Sequence, residues 1–427
     1  MISSLILKFN KTNLIKNNTT NFFLDNVLNK NGYNNNNNNN RFASYKSFQT
    51  LKTDYKFSEE DEVFEEIKDF KKYEDRGNYS AAKSILNRSL SMVESTVGNK
   101  HPITLNVLFR MVNLELIIGD LSSAERYANQ ILSRLNNNTN LSNIDIDSQY
   151  LIPTLNYLLI CSQYQGDNEK CFKIIDQINE ISKKKNDWEL LISNLLNKAI
   201  ILSLDCNESA DQIYKELIEL SNENLNESNK LNESILSNYA CYLHSNGNND
   251  ELAEQLYIKA IKLAESNKND IELVNILSNY GEFLFDSDQF DKAEPILNNA
   301  IAKSELVYGR YNPKVGTILY ILGKINRDKR NLAFAEGFFS KCITIFEDYK
   351  NQTKRKEHER QLLNQNDTNY HYQPGKRERE LRINKEVDID FGNVLWDYAQ
   401  MLRDNGRLKE AENLEQRARK LNSFEDD

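Results

Sequence analysis

The chain has 427 residues, 39% of them hydrophobic, and a formal net charge of −9. Its 14 glycines and 5 prolines are few for a sheet protein with many tight turns, so the composition favours long helices. The acidic total argues against broad nucleic-acid binding, and no apolar run approaches the roughly 18 residues that a membrane span needs.

Residues 1–53 differ from the rest of the chain in charge. They hold seven Lys or Arg and one acid, a net of +6, so residues 54–427 must carry −15 to give the total. Within the first ten residues, a predicted helix places four apolar side chains on one face: Ile2, Leu5, Ile6 and Phe9. A basic, hydroxylated and amphipathic N-terminus of this kind resembles a mitochondrial presequence.

A short stretch of this leader resembles a processing region, because Arg41 stands just before Phe42, Ala43 and Ser44. The resemblance implies a mitochondrial protein, in the matrix or associated with the inner membrane. The alternative is an asparagine-rich disordered tail that happens to be basic, since residues 34–40 are all asparagine, on a cytoplasmic protein.

From about residue 60 the chain repeats itself. Small residues recur at intervals of 42, 47, 39, 43, 40, 42 and 76, and each is followed by a second small or apolar residue seven positions later. We call the recurring small residues the anchors: Ala82, Ala124, Cys171, Ala210, Ala253, Ala293, Ala335 and Ala411. The last interval equals one period plus an insertion. Helices approach closely only where side chains are small, so the pattern predicts stacked helix pairs.

Turn signals stand between the helices of each predicted pair. Gly77, Gly119, Gly166 and Gly406 each lie five residues before an anchor, where the chain leaves one helix. Aromatic residues four positions after an anchor are predicted to fill the space between neighbouring pairs: Tyr214, Tyr257 and Phe339, with Leu297 in one copy.

Three stretches carry a family resemblance: "GNKHPITLNVL" from Gly98, "YGRYNPKVGTIL" from Tyr308 and "FDKAEPILNNAI" from Phe290. With them the chain resembles the tetratricopeptide repeat (TPR) family, in its longer form of about 42 residues that kinesin light chains use. The resemblance implies an all-α fold, a right-handed superhelical solenoid of about eight TPR-like helix pairs. In the order of the chain it implies seven repeats in 54–349, a polar charged insertion in 350–386, an eighth repeat in 387–421 and an acidic tail in 422–427.

In this family the first helices of successive pairs line a groove that holds peptides. On that template Asn238 and Asn279 point into the groove, two residues before the crossings at Ala240 and Gly281. An asparagine there can donate to and accept from a peptide backbone. The alternative is that the two asparagines simply face water in an asparagine-rich chain.

The same template places cations and aromatic residues further along the groove: Tyr320, Lys324, Arg327, Trp396 and Arg403. Such an end of the groove suits an acidic or carboxylate-bearing segment. The alternative is that Asp328 and Asp404, which follow the two arginines in the sequence, neutralise them.

Nothing in the sequence predicts catalysis or a cofactor. The four histidines are far apart, and motifs for metal, nucleophile or phosphate-cradle chemistry are absent. The five cysteines are scattered without a C-x-x-C, which argues against a disulfide framework or zinc site. The prediction is a non-catalytic scaffold for a protein or peptide, of the kind that serves as an assembly factor of a larger complex. The alternatives are a cytosolic cargo adaptor of kinesin-light-chain type and a regulatory subunit of an enzyme complex.

Overall fold

A computed structural model describes residues 70, 73, 78–135, 150–204, 207–247, 249–365 and 374–422, with the side chains of 356–386 and 422 left aside. The predicted leader 1–53, with the processing region Arg41 to Ser44, lies outside the described residues. So do Gly77, Cys206 and the tail beyond Asn422.

The described residues form fifteen α-helices and no strand. Their bounds are α1 Tyr79–Thr96, α2 Pro102–Ile118, α3 Leu121–Leu135, α4 Ile152–Gln165, α5 Asn168–Lys185, α6 Trp188–Leu204, α7 Ser209–Asn224, α8 Lys230–Asn246, α9 Asp250–Ser266, α10 Asp270–Asp286, α11 Phe290–Tyr308, α12 Pro313–Asp328, α13 Leu332–Gln365, α14 Pro374–Asp404 and α15 Leu408–Asn422. The predicted all-α fold of TPR-like helix pairs is confirmed for the described residues. From α2 onward each even-numbered helix is the first of a pair, and the odd-numbered helix after it is the second.

Asparagines begin many of these helices. The side chains of Asn78, Asn229, Asn249, Asn269 and Asn312 each accept a hydrogen bond from a backbone N–H in the first turn of the following helix. Such a cap satisfies one of the donors that have no partner within the helix. The abundance of asparagine therefore has a structural use in this chain.

Glycine ends the first helix of several pairs, as its position before the anchor predicts. Gly119, Gly166 and Gly406 all have positive φ, between 74° and 91°. Asp288 and Arg330 occupy the corresponding position in two other copies and also take positive φ, at 58° and 62°. The turn is therefore retained where glycine is missing, at a cost in backbone strain of about 1 kcal/mol per residue.

The anchors lie at the helix crossings. All eight anchor side chains, and all eight residues seven positions after them, are no more than 1% exposed. The second set consists of Ser89, Ile131, Ile178, Leu217, Ala260, Ala300, Cys342 and Ala418. The close packing predicted from the recurring small residues is thus found in every copy.

Aromatic rings fill the space between pairs as predicted. Tyr214 of α7 stacks on Tyr239 of α8 with ring centroids 5.1 Å apart, and Tyr257 of α9 lies 5.5 Å from Tyr280 of α10. Phe339 of α13 repeats the arrangement with Tyr398 of α14 at 5.6 Å. These contacts couple the second helices α7, α9 and α13 to the first helix of the next pair.

Helices of the repeat occupy both described parts of the segment predicted as an insertion, 350–365 and 374–386. The α13 helix extends to Gln365, and α14 begins at Pro374, well before the eighth repeat predicted from residue 387.

The chain forms two compact units. Among the described residues, the first unit comprises those up to Asn194 together with 358–381, and the second comprises 195–357 and 382–422. We call the second the C-terminal unit; it contains all the predicted groove residues. In the described part of the chain, no helix has the length and apolar character to cross a membrane.

Candidate peptide-binding face

The predicted groove residues lie on the first helices α8, α10, α12 and α14 of the C-terminal unit. We call the partly exposed side of these four helices the first-helix face. Asn238 and Asn279 lie there, both half-buried, while the neighbouring Tyr239 and Tyr280 point inward. The tyrosine hydroxyls donate to carboxylates of the preceding second helices, Tyr239 to Asp211 and Tyr280 to Glu254.

The two asparagines are already engaged within the protein. The Asn238 amide donates to the Ser234 carbonyl one turn earlier in its own helix, with 2.8 Å between the two atoms. The Asn279 amide donates to Cys241 Sγ on the neighbouring helix α8 at 3.2 Å, and Tyr257 donates to the same sulfur. A peptide that used these amides would therefore exchange an internal hydrogen bond for an external one.

Lys324 is held between aromatic rings. Its Nζ lies 4.5 Å from the ring centroid of Phe285 on α10 and 5.1 Å from that of Tyr320. Cation–π contacts of this kind position an ammonium group without neutralising it. Among the described residues no carboxylate pairs with Lys324, so its charge is available to an external anion.

Arg327, in contrast, is compensated within the protein. Its guanidinium lies 2.9 Å from Asp328 Oδ1 and 3.6 Å from Asp397 Oδ2 on α14. Burial disfavours its charge, but the two carboxylates outweigh burial and raise the pKa of Arg327. Asp328 therefore neutralises the Arg327 guanidinium, as the alternative interpretation of the sequence predicts.

Asp397 joins two first helices. It accepts a 2.6 Å hydrogen bond from the Tyr320 hydroxyl in addition to its contact with Arg327. Burial, followed by the nearby Asp397 carboxylate, raises the pKa of Tyr320 well above its ordinary value, so the phenol stays a donor. Together with Lys324 over Phe285, these contacts fix the relative positions of α10, α12 and α14 on this face.

Arg403 pairs with Glu415 and not with Asp404, the neighbour that the sequence indicates. Its guanidinium donates twice to Glu415 Oε1 of α15, at 3.0 and 2.7 Å, whereas Asp404 was the expected partner. Arg403 thus differs from Arg327, which pairs with the aspartate that follows it in the sequence. Trp396 lies on the same face and is 41% exposed, an unusual fraction for a tryptophan.

Sequence analysis missed Asp397, Phe285 and Cys241 as members of this face. A signal existed for Asp397, because it stands two residues before the buried Ala399, in the register of Asn238 and Asn279. Phe285 carries no such signal, since its role depends on the distance between α10 and α12.

The described residues with catalytic potential are otherwise occupied. Burial raises the pKa of the Cys161, Cys171 and Cys241 thiols to about 12, which disfavours the reactive thiolate. His101 caps α2, and His244 lies 3.1 Å from Asp286. Within the described ranges, no three His, Cys, Asp or Glu side chains cluster as metal ligands would.

Comparison with known families gives one match: the tetratricopeptide repeat model matches residues 272–348, which contain α10, α11, α12 and the start of α13. The resemblance stated from the sequence is confirmed there. No curated protein sequence matches the chain.

Several solved structures are similar. BtubC (BKLC) from P. vanneervenii is 15% identical with a TM-score of 0.42, covering 64% of this chain and 94% of its own. A Rap protein complexed with competence and sporulation factor is 12% identical with a TM-score of 0.44, covering 84% and 98%. The quorum sensor NprR from B. thuringiensis is 12% identical with a TM-score of 0.44, covering 86% and 100%.

At these identities and TM-scores the similar structures assign neither a partner nor an activity to this chain. The helix pairs and the family match together describe the architecture: the described residues form successive α-helical pairs, and residues 272–348 match the tetratricopeptide repeat model.

Proposed function

We propose that this protein is a non-catalytic scaffold that binds a peptide segment of a partner protein on its first-helix face. The observation that carries the proposal is that the first helices present both a cation without a carboxylate partner among the described side chains, Lys324 over Phe285 and Tyr320, and the exposed indole of Trp396. Exposed tryptophans and fixed cations are the groups that most often anchor a partner.

The charges of this face define the partner further. Arg327 and Arg403 are paired with carboxylates of the protein, so Lys324 is the cation that gains most from an added negative charge. The segment bound should therefore carry an Asp or Glu for Lys324 and an apolar or aromatic residue for Trp396. The amides of Asn238 and Asn279 suit its backbone.

A peptide-display selection on the purified full chain tests this proposal. We expect acidic peptides to be enriched, and Lys324→Glu to weaken their binding by about tenfold, equivalent to about 1.4 kcal/mol. The matched control is Lys341→Glu, which makes the same charge change at an exposed site of the second helix α13 and should leave affinity within about twofold. Equal loss in both variants, or binding that survives Lys324→Glu, would refute the assignment.

We propose further that the protein acts in mitochondria, in the matrix or at the inner membrane, in assembling a larger complex. The support is the charge contrast between the +6 leader and the −15 remainder. A C-terminal fluorescent fusion tests it: the signal should be mitochondrial and become diffuse when residues 1–53 are removed. A diffuse signal in both proteins would instead favour the cytosolic cargo adaptor.

A further inference from the structure

A cavity separate from the first-helix face lies among the last three helices of the C-terminal unit. It has a volume of about 390 Å³ and is lined by side chains of α13, α14 and α15. The lining residues that matter here are Glu347, Lys350, Lys354, Phe391, Arg417 and Lys420. A volume in this range is typical of sites for small ligands.

The lining is strongly cationic. Four of these six side chains are Lys or Arg, against the single carboxylate of Glu347. Two of the cations are paired, Lys350 with Asp388 of α14 and Arg417 with Glu347. Lys354 and Lys420 are exposed, and neither pairs with a carboxylate of the described residues. Among the residues whose side chains the structure describes, the cavity therefore keeps about two uncompensated positive charges, although the net charge of the whole chain is −9.

The base of the cavity is rigid. Phe391 is only 4% exposed and stacks on Phe346 with ring centroids 5.5 Å apart, within the core shared by α12 to α15. The Arg417 guanidinium lies over the Phe391 ring, 5.9 Å from its centroid. The cationic groups thus project from a packed surface, which lowers the entropy lost when a ligand binds.

We infer that this cavity binds a compact anion carrying several phosphate groups. Lysine ammonium groups and the planar arginine fork are the usual protein partners of phosphate oxygens. Arg417 would exchange its Glu347 carboxylate for a phosphate, while Lys354 and Lys420 would supply charge that no carboxylate with a described side chain neutralises.

The size of the anion follows from the surrounding charge. An extended polyanion such as a nucleic acid would make most of its contacts outside a cavity of about 390 Å³, on a chain whose net charge is −9. A compact oligophosphate contacts only the cationic lining. The C-terminal end of α15 carries about half a negative charge, which repels an anion. This is less than the positive charge of Lys354 and Lys420 together.

Calorimetric titration of the full chain with inorganic tripolyphosphate tests the inference. We expect saturable 1:1 binding to the wild type, and a weakening of about tenfold or more in Lys354→Gln/Lys420→Gln. The control is Lys341→Gln/Lys409→Gln, which removes two charges at exposed sites of the same two helices outside the cavity and should stay within about twofold.

The inference fails if the wild type does not bind tripolyphosphate or if both double variants lose affinity equally. Equal loss would mean that anion binding depends on the total charge of the protein and not on this cavity. Because all four lysines are exposed, unfolding is not expected in either variant, and circular dichroism verifies this point before titration.

Discussion

Single glycines set how closely the helices of a pair approach each other. A Cβ atom at Gly281 of α10 would lie 2.6 Å from Leu297 Cγ of α11, and one at Gly323 of α12 would lie 2.8 Å from the Phe339 ring of α13. Real Cβ contacts are not that short, so these crossings exist at this distance only because no side chain is present.

Gly281→Ala should therefore destabilise the protein by about 1–3 kcal/mol, because Leu297 must leave its packed position. The matched control is Gly337→Ala on the exposed side of α13, where a new Cβ meets nothing within 4 Å. This second change should stabilise by up to about 1 kcal/mol, since alanine favours helix over glycine. Urea denaturation of both variants measures the difference, and equal effects would argue against the close crossing.

A buried carboxylate ties one loop to the repeat before it. Glu233 of α8 is fully buried and accepts hydrogen bonds from the amides of Asn267, at 3.1 Å, and Asn269, which flank the turn between α9 and α10. Burial raises the pKa of Glu233, and the two amide donors only partly offset this effect.

This raised pKa has a consequence for stability. The folded protein keeps a proton on Glu233 at pH values at which the unfolded chain has lost it. The stability that this proton adds is fully present below the unfolded pKa, and it is lost as pH rises through the folded pKa. Glu233→Gln removes the titration. The unfolding free energy of the wild type minus that of the variant should increase from about pH 7 to about pH 5. A difference that is flat or decreases over this interval would contradict the assignment.

At the scale of helices, asparagine has a positional role. Asn249 illustrates it, because its side chain accepts from the Leu252 N–H at 3.0 Å and so begins α9. Asn249→Ala should cost about 1 kcal/mol in unfolding free energy. Asn298→Ala, at an exposed position inside α11, should be neutral or slightly stabilising, since it removes no cap. Thermal unfolding measures the two variants, and an equal loss in both would show that Asn249 has no special role as a cap.

The sequence predicts the helix pairs because their requirement is local and recurs. Each copy needs a small residue at the crossing, and that residue type can be recognised wherever it repeats. The turns at Asp288 and Arg330 could not be predicted, because packing of the flanking helices imposes positive φ on residues that disfavour it.

The candidate site was predicted less completely. Residue type and register placed Lys324, Arg327 and Trp396 on first helices, but the partner of Arg403 depends on the separation between α14 and α15. The roles of Phe285 and Asp397 likewise depend on distances between helices that are distant in sequence.

At the scale of the whole molecule, charge and aromatic exposure separate two binding surfaces of the C-terminal unit. The first-helix face presents Lys324, which has no carboxylate partner among the described side chains, and the exposed Trp396, whereas the cavity among α13, α14 and α15 presents cations around a buried ring. The first suits a peptide with both acidic and apolar side chains, and the second a small anion. A variant of Lys324 should therefore weaken peptide binding, whereas a double variant of Lys354 and Lys420 should weaken anion binding.

Photo-cross-linking tests peptide binding on the first-helix face most directly. A benzophenone amino acid replaces Trp396 on that face or, as an aromatic control, Phe334, which is 69% exposed on the second helix α13. A display-selected acidic peptide should cross-link at position 396 and not at 334. Cross-linking at 334 alone, or equally at both positions, would contradict the account.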